Sequence, residues 1–252
     1  MTSRMLEFAV SIILLAALIA GCAGNRITPA QESMSHYKMG LNRMQSGNDE
    51  AALYEFNRAI EKDSSNADAH FAAGVAHYRQ HNYEAALKEF KKVLSLDSNY
   101  ADAHNNLGLV YVQKKDYAQA IKEFKSAVGN SLYKSRDSAL INMGLAYDAT
   151  GDLDMAAQSF REALLIQPDN DSAMQNLANE YYKMGRMDEA VKYYKKVLEL
   201  SPDNASAYYE LGIVYFKTGK NTEAMECFQK VKDLAPGSEI AASAEKYFDL
   251  LK

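Results

Sequence analysis

Five histidines and two cysteines are the side chains here that could hold a metal or attack a substrate. His77 and His81 stand at i, i+4, the spacing that puts two imidazoles on one helix face, as a zinc site requires. A tetrahedral site needs further ligands, and no clear third one stands near them. His77 also falls where a packing aromatic is expected. His36, His70 and His104 recur every 34 residues, so they take equivalent places in successive units and do not share one ion. They read as packing residues. Cys227 adjoins Phe228 in an apolar helical pattern and reads as a small buried hydrophobe. No Ser/His/Asp or Cys/His arrangement, glycine-rich phosphate loop or paired-carboxylate motif accompanies them. The expectation is a chain with no catalytic residue, no metal and no cofactor, and therefore not an enzyme.

Cys22 has different surroundings. Residues 8–20, FAVSIILLAALIA, run 13 positions without a charge. That is too short for a membrane-spanning helix, which needs about 20 apolar residues, and it suits the core of a secretory signal. Ile19–Ala20–Gly21–Cys22 resembles the bacterial lipobox. The resemblance implies cleavage before Cys22, diacylglycerol on its sulfur and an acyl chain on its new amino group. Two or more chains give stable anchoring. Ala23 stands where an inner-membrane retention signal would place Asp, so the expected location is the outer membrane, facing the periplasm. Residues 1–21 are then a removed signal peptide and 22–32 a lipidated tether, the free stretch of which spans roughly 35 Å when extended.

These features act on whatever the remaining chain builds. With 252 residues and 48% apolar content it can bury a substantial core. Its charge is −5, with 28 basic and 33 acidic residues well mixed along the sequence. No basic stripe is visible in linear order, so no nucleic-acid partner is expected. Gly40, Gly74, Gly108, Gly144, Ala178 and Gly212 fall 34, 34, 36, 34 and 34 residues apart. An alanine recurs with them at 52, 86, 120, 156, 190 and 224. Four residues later comes a large aromatic: Phe56, Phe90, Phe124, Phe160, Tyr194 and Phe228. A 34-residue period of helix pairs resembles tetratricopeptide (TPR) repeats. The expected fold is an all-α, right-handed superhelical α-solenoid of six units, at 33–66, 67–100, 101–136, 137–170, 171–204 and 205–238. A capping helix follows at 239–252.

Local signals agree. Gly47, Gly151, Gly185 and Gly219 supply a positive φ between paired helices. Asn48, Asn82, Asp116 and Asp152 are placed to cap the second helix, and Asn221 to cap it one residue late in the last unit. Pro168, Pro202 and Pro236 end that helix in the last three units.

In TPR solenoids the first helix of each unit lines the concave face. The positions concerned hold Tyr37 and Leu41, then Phe71, Val75 and Tyr78, then Asn105, Leu109 and Val112. They continue with Ile141, Asn142 and Leu145, then Asn176, Asn179 and Tyr182. Met34, Met44 and, in the sixth unit, Tyr209, Ile213, Phe216 and Lys217 extend the set. An apolar surface of this kind marks an interaction site, and the asparagines can hydrogen-bond an extended backbone. The stacked Lys and Asn pairs that clamp a C-terminal carboxylate in other TPR domains are absent.

The 36-residue step carries Leu132 and Tyr133 ahead of Asn142, Met143, Gly144 and Leu145. With the lipobox and six units, this resembles the PilF/PilW family of type IV pilus biogenesis and stability lipoproteins. Lys134, Ser135 and Arg136 stand where that family often has a proline. The resemblance implies a pilotin-like partner, a secretin subunit, and a role in secretin assembly. A general periplasmic scaffold that recruits cell-wall or envelope complexes is the alternative.

Overall fold

The computed structural model describes residues 27–252, and these residues form helices joined by turns and short connections, without a strand. The signal segment and Cys22 lie outside the described residues. The helices are α1 (Pro29–Gln45), α2 (Asp49–Lys62), α3 (Ala67–Arg79), α4 (Tyr83–Leu96), α5 (Ala101–Gln113), α6 (Tyr117–Gly129) and α7 (Arg136–Thr150). They continue as α8 (Leu153–Ile166), α9 (Asp171–Lys183), α10 (Met187–Leu200), α11 (Ala205–Lys217), α12 (Asn221–Leu234) and α13 (Glu239–Leu250). The fold is all-α and solenoid-like. It divides into two compact units, one ending at Gln80 and one running from His81 to Lys252.

In the first unit α1 packs on α2 and α2 on α3. Phe56 and Ala52 are fully buried, with Tyr37, Met44, Leu53 and Ile60 against them. Helix α1 begins at Pro29, so residues 29–32 are helical although they fall in the expected tether. Thr28 Oγ1 accepts from the Gln31 amide while the Gln31 side chain accepts from the Thr28 amide, a closed capping box.

In the second unit each helix from α5 to α12 packs on the next, and α13 covers the last pair. One core runs through it, with Phe124, Phe160, Tyr194 and Phe228 fully buried. The recurring glycine is what lets the aromatic in. A Cβ on Gly108 would sit 2.5 Å from Cε1 of Phe124, closer than any real contact.

Turn chemistry departs from expectation at two places. Gly151 has φ 81°, as expected, but His81 and Lys115 hold the same left-handed turn at φ 59° without being glycine. Capping departs too. Asn48, Asp116 and Asp152 accept from the amides of Ala51, Gln119 and Met155. Asn82 makes no such bond, and Asn221 is the first helical residue, not the cap. The uncapped amides of α4 and α12 are therefore left to other partners. Sequence reading passed over the first-helix caps Asn66, Asn170 and Asn204, each of which accepts from the amide three residues on. Helices α8, α10 and α12 stop at 166, 200 and 234, two residues before their prolines.

The 36-residue step is a pinned connection over residues 130–135. Asn130 Oδ1 accepts from the Leu132 amide, Asn130 Nδ2 donates to the Asn99 carbonyl, and Arg136 Nε donates to the Val128 carbonyl. Tyr133 turns inward and is buried on Ala101, Ala127 and Ala139. Burial first, then Asp102, pushes its hydroxyl pKa up to about 12. Leu132 points the other way and is 88% exposed.

Candidate partner-binding surface

First helices carry the expected groove residues, and each unit presents its own part. In the first unit α1 bears Tyr37, half-buried with its ring centroid 6.1 Å from that of Phe56. Burial and the nearby Asp68 raise its hydroxyl pKa. Leu41 and Met34 are exposed on the same helix. Helix α3 bears Phe71, Val75 and Tyr78, all half-buried. Arg79 beside them is tied to Asp49 at 3.2 Å.

In the second unit the first helices carry the asparagines, and two of them meet. Asn142 Nδ2 on α7 donates to Asn105 Oδ1 on α5 at 3.1 Å. Asn179 on α9 accepts from the Tyr194 hydroxyl, so its carbonyl is already engaged. Asn176 reaches Ser172 only at 3.5 Å, which leaves its amide the freer to take a ligand. Leu109, Val112, Ile141 and Tyr182 are partly buried against the core, and Leu145 is 45% exposed. Ile213 is buried and belongs to the core. Tyr209 and Phe216 meet the Tyr247 ring of α13, so the capping helix occupies this end of the surface. Tyr182 carries the Lys217 ammonium 4.6 Å from its ring centroid.

Charge enters where sequence reading did not look. Glu180 on α9 takes the slot that Ala146 and Val214 fill in neighbouring repeats. It is buried with Oε2 unpartnered, while Oε1 accepts from Lys183, which also bonds Asp148 on α7. Burial raises the Glu180 pKa. The out-of-pattern acid was the available signal. Glu210 on α11 is likewise raised by burial.

His36 and His104 are hydrogen-bonded struts between paired helices. His36 Nδ1 lies 2.7 Å from Glu55 Oε2, and His104 Nδ1 lies 2.7 Å from Glu123 Oε2. His104 Nε2 is also 3.1 Å from the Ser98 carbonyl. The Glu123 carboxylate raises the His104 pKa, with the Ser98 carbonyl adding to it. His81 Nδ1 lies 2.9 Å from the Tyr83 hydroxyl. No cluster of three or more potential metal ligands occurs among the described residues. Cys227 is buried, and burial pushes its thiol pKa up to about 12, far from the reactive thiolate range. No helix of the described residues is long and apolar enough to cross a membrane.

A family model described as TPR repeat matches residues 40–81, 78–115 and 178–219, and models described as tetratricopeptide repeat match 101–131, 138–170 and 205–238. The chain is a tetratricopeptide-repeat protein. Comparison by sequence with curated proteins finds no match. Among solved structures this TPR protein is similar to PilF of Pseudomonas aeruginosa. The identity is 25% and the TM-score 0.74, over 86% of this chain and 98% of that one. It shares its fold with PilW, a widely conserved type IV pilus biogenesis factor, at 20% identity and TM-score 0.76, over 85% of this chain and 99% of the other. It is also similar to YrrB, a TPR protein with an unusual peptide-binding site. There the identity is 25% and the TM-score 0.64, over 76% and 97% of the two chains. TPR folds of this kind serve as protein-interaction scaffolds.

Proposed function

We propose that this TPR protein is a lipid-anchored scaffold of the outer membrane, facing the periplasm, that grips a segment of a secretin subunit and supports type IV pilus biogenesis. The likeness to PilF over nearly all of that chain carries the reading. The first-helix surface supplies its chemistry: apolar and aromatic side chains hold the partner's side chains, and Asn105, Asn142 and Asn176 offer amides to an extended backbone. Cys22 supplies the anchor, and the protein acts by binding, without a catalytic residue or cofactor.

Deleting the gene should cut heat-resistant secretin multimers and surface pili. Normal levels of both would overturn the reading. Leu145→Glu and Tyr182→Glu should abolish capture of the secretin while helicity and melting stay near wild type. Cys22→Ser should leave an uncleaved precursor.

The likeness to YrrB favours a second reading at the same level of identity: a general periplasmic scaffold whose surface takes peptide segments of cell-wall enzymes. Capture of such enzymes without a secretin would select it.

A further inference from the structure

Helical register sorts the lysines of this chain in a way that their linear spacing hides. Midway along the second helix of each repeat lie three outward positions: two residues after the core alanine, and the two residues that follow the core aromatic. Across α4, α6, α8 and α10, all in the second unit, nine of these twelve positions are Lys or Arg and one, Glu162, is acidic. Helix α10 contributes Lys192, Lys195 and Lys196, and α6 contributes Lys122 and Lys125. The middle turns of these helices are therefore basic, while the exposed acids Glu84, Asp154, Asp188 and Glu199 lie toward the helix ends.

Among the described residues none of the nine forms an ion pair. Lysines elsewhere are tied down: Lys114 to Glu84, and Lys183 to Asp148 and Glu180. Three of the nine lean on rings, Lys91 over Tyr111 at 6.0 Å, Lys125 over Tyr147 at 5.5 Å and Lys196 over Tyr193 at 5.3 Å. Stems held on apolar surface leave the ammonium heads outward.

An apolar prong stands among them. Leu165 on α8 is 83% exposed. It borders a cavity of about 500 Å³ shared with Arg161, Leu164 and Tyr193.

We propose that the outward face of α4, α6, α8 and α10 docks on an anionic lipid bilayer, its lysines on headgroup phosphates and Leu165 in the headgroup region. Eight of the nine cations are Lys, a flexible point charge that suits a fluid array of phosphates. Docking on the fixed carboxylates of a folded acidic protein favours the planar, bidentate Arg. Juxtamembrane cations contribute singly and additively to anionic membranes, and an exposed apolar side chain adds insertion energy. This face needs neither the anchor at Cys22 nor a secretin.

The test uses residues 23–252, which contain every contact described above, in sedimentation with vesicles. Phosphatidylcholine vesicles should not bring the protein down. Mixed phosphatidylcholine–phosphatidylglycerol vesicles should, with binding that falls as salt rises. Lys192→Gln, Lys195→Gln and Lys196→Gln together should weaken binding roughly a hundredfold with unchanged helicity and melting. Leu165→Ser should weaken it several-fold without changing the salt dependence. Failure to bind the mixed vesicles at low salt overturns the proposal, as does equal binding to both vesicle types or wild-type binding by the triple variant. Salt-sensitive retention on poly-glutamate beads without vesicle binding overturns it in favour of an acidic protein.

Discussion

A Cβ on Gly108 would lie within 2.9 Å of three ring carbons of Phe124, and the ring, walled in by its own core, has no room to retreat. Gly108→Ala should therefore lower stability by about 1–3 kcal/mol, less a gain in helix propensity of up to about 1 kcal/mol. Phe124→Leu in the same chain should recover part of the loss, as read by urea midpoints. Repeat five carries Ala178 with Tyr194, whose hydroxyl donates to Asn179, so one pair of residues has been exchanged for another. The His104–Glu123 strut makes a second prediction at this scale. The folded-state pKa of His104 is raised, so the strut's contribution is complete below the ordinary imidazole pKa of 6.5 and is lost as pH rises through the raised value. Glu123→Gln should cost up to about 1 kcal/mol more at pH near 6 than at pH near 9. An equal cost at both would show that the pair acts through its neutral hydrogen bond.

Between paired helices the chain reverses through one left-handed residue, and the six repeats meet that demand unevenly. Gly151 does so freely, while Lys115 holds φ 59° with a side chain attached. A non-glycine residue there costs roughly 1–2 kcal/mol. Lys115→Gly should raise the thermal midpoint, and Gly151→Ala should lower stability by about 1 kcal/mol. The turn glycines at 47, 151, 185 and 219 were legible because the period placed them. The left-handed His81 and Lys115 were not, because nothing in their side chains favours φ > 0. The neighbouring hydrogen bonds, Lys115 to the Val112 carbonyl and Asp116 to the Tyr111 carbonyl, impose it. Asn82 shows the converse: a good capping residue at the right position makes no cap bond.

At the scale of the whole molecule, a stack of repeats needs its last apolar face covered. Helix α13 does this with Tyr247, stacked on Phe228 at 5.3 Å and edge-on to Phe216 at 5.3 Å. Tyr247→Ala should cost about 2–3 kcal/mol and raise dye binding and light scattering, since Phe216 and Phe228 lose their cover. The capping role of 239–252 was readable from Ile240, Ala244, Tyr247 and Leu251 on one side. That the same ring also closes off Tyr209 and Phe216 was not, because this depends on how α13 lies across α11.

The sequence by itself determined the repeat, the pairing of small residue with aromatic and the turn glycines, because each is a matter of residue type at a fixed local spacing. Tertiary structure alone decided which asparagine amides are already engaged, that Ile213 belongs to the core, and that Glu180 is buried beside Lys183. The physical reason is common to all of these. Hydrogen-bond partners and burial are set by side chains far apart in sequence, 37 residues for Asn142 and Asn105, 15 for Tyr194 and Asn179 and 35 for Lys183 and Asp148, and only packing brings those side chains within reach of one another.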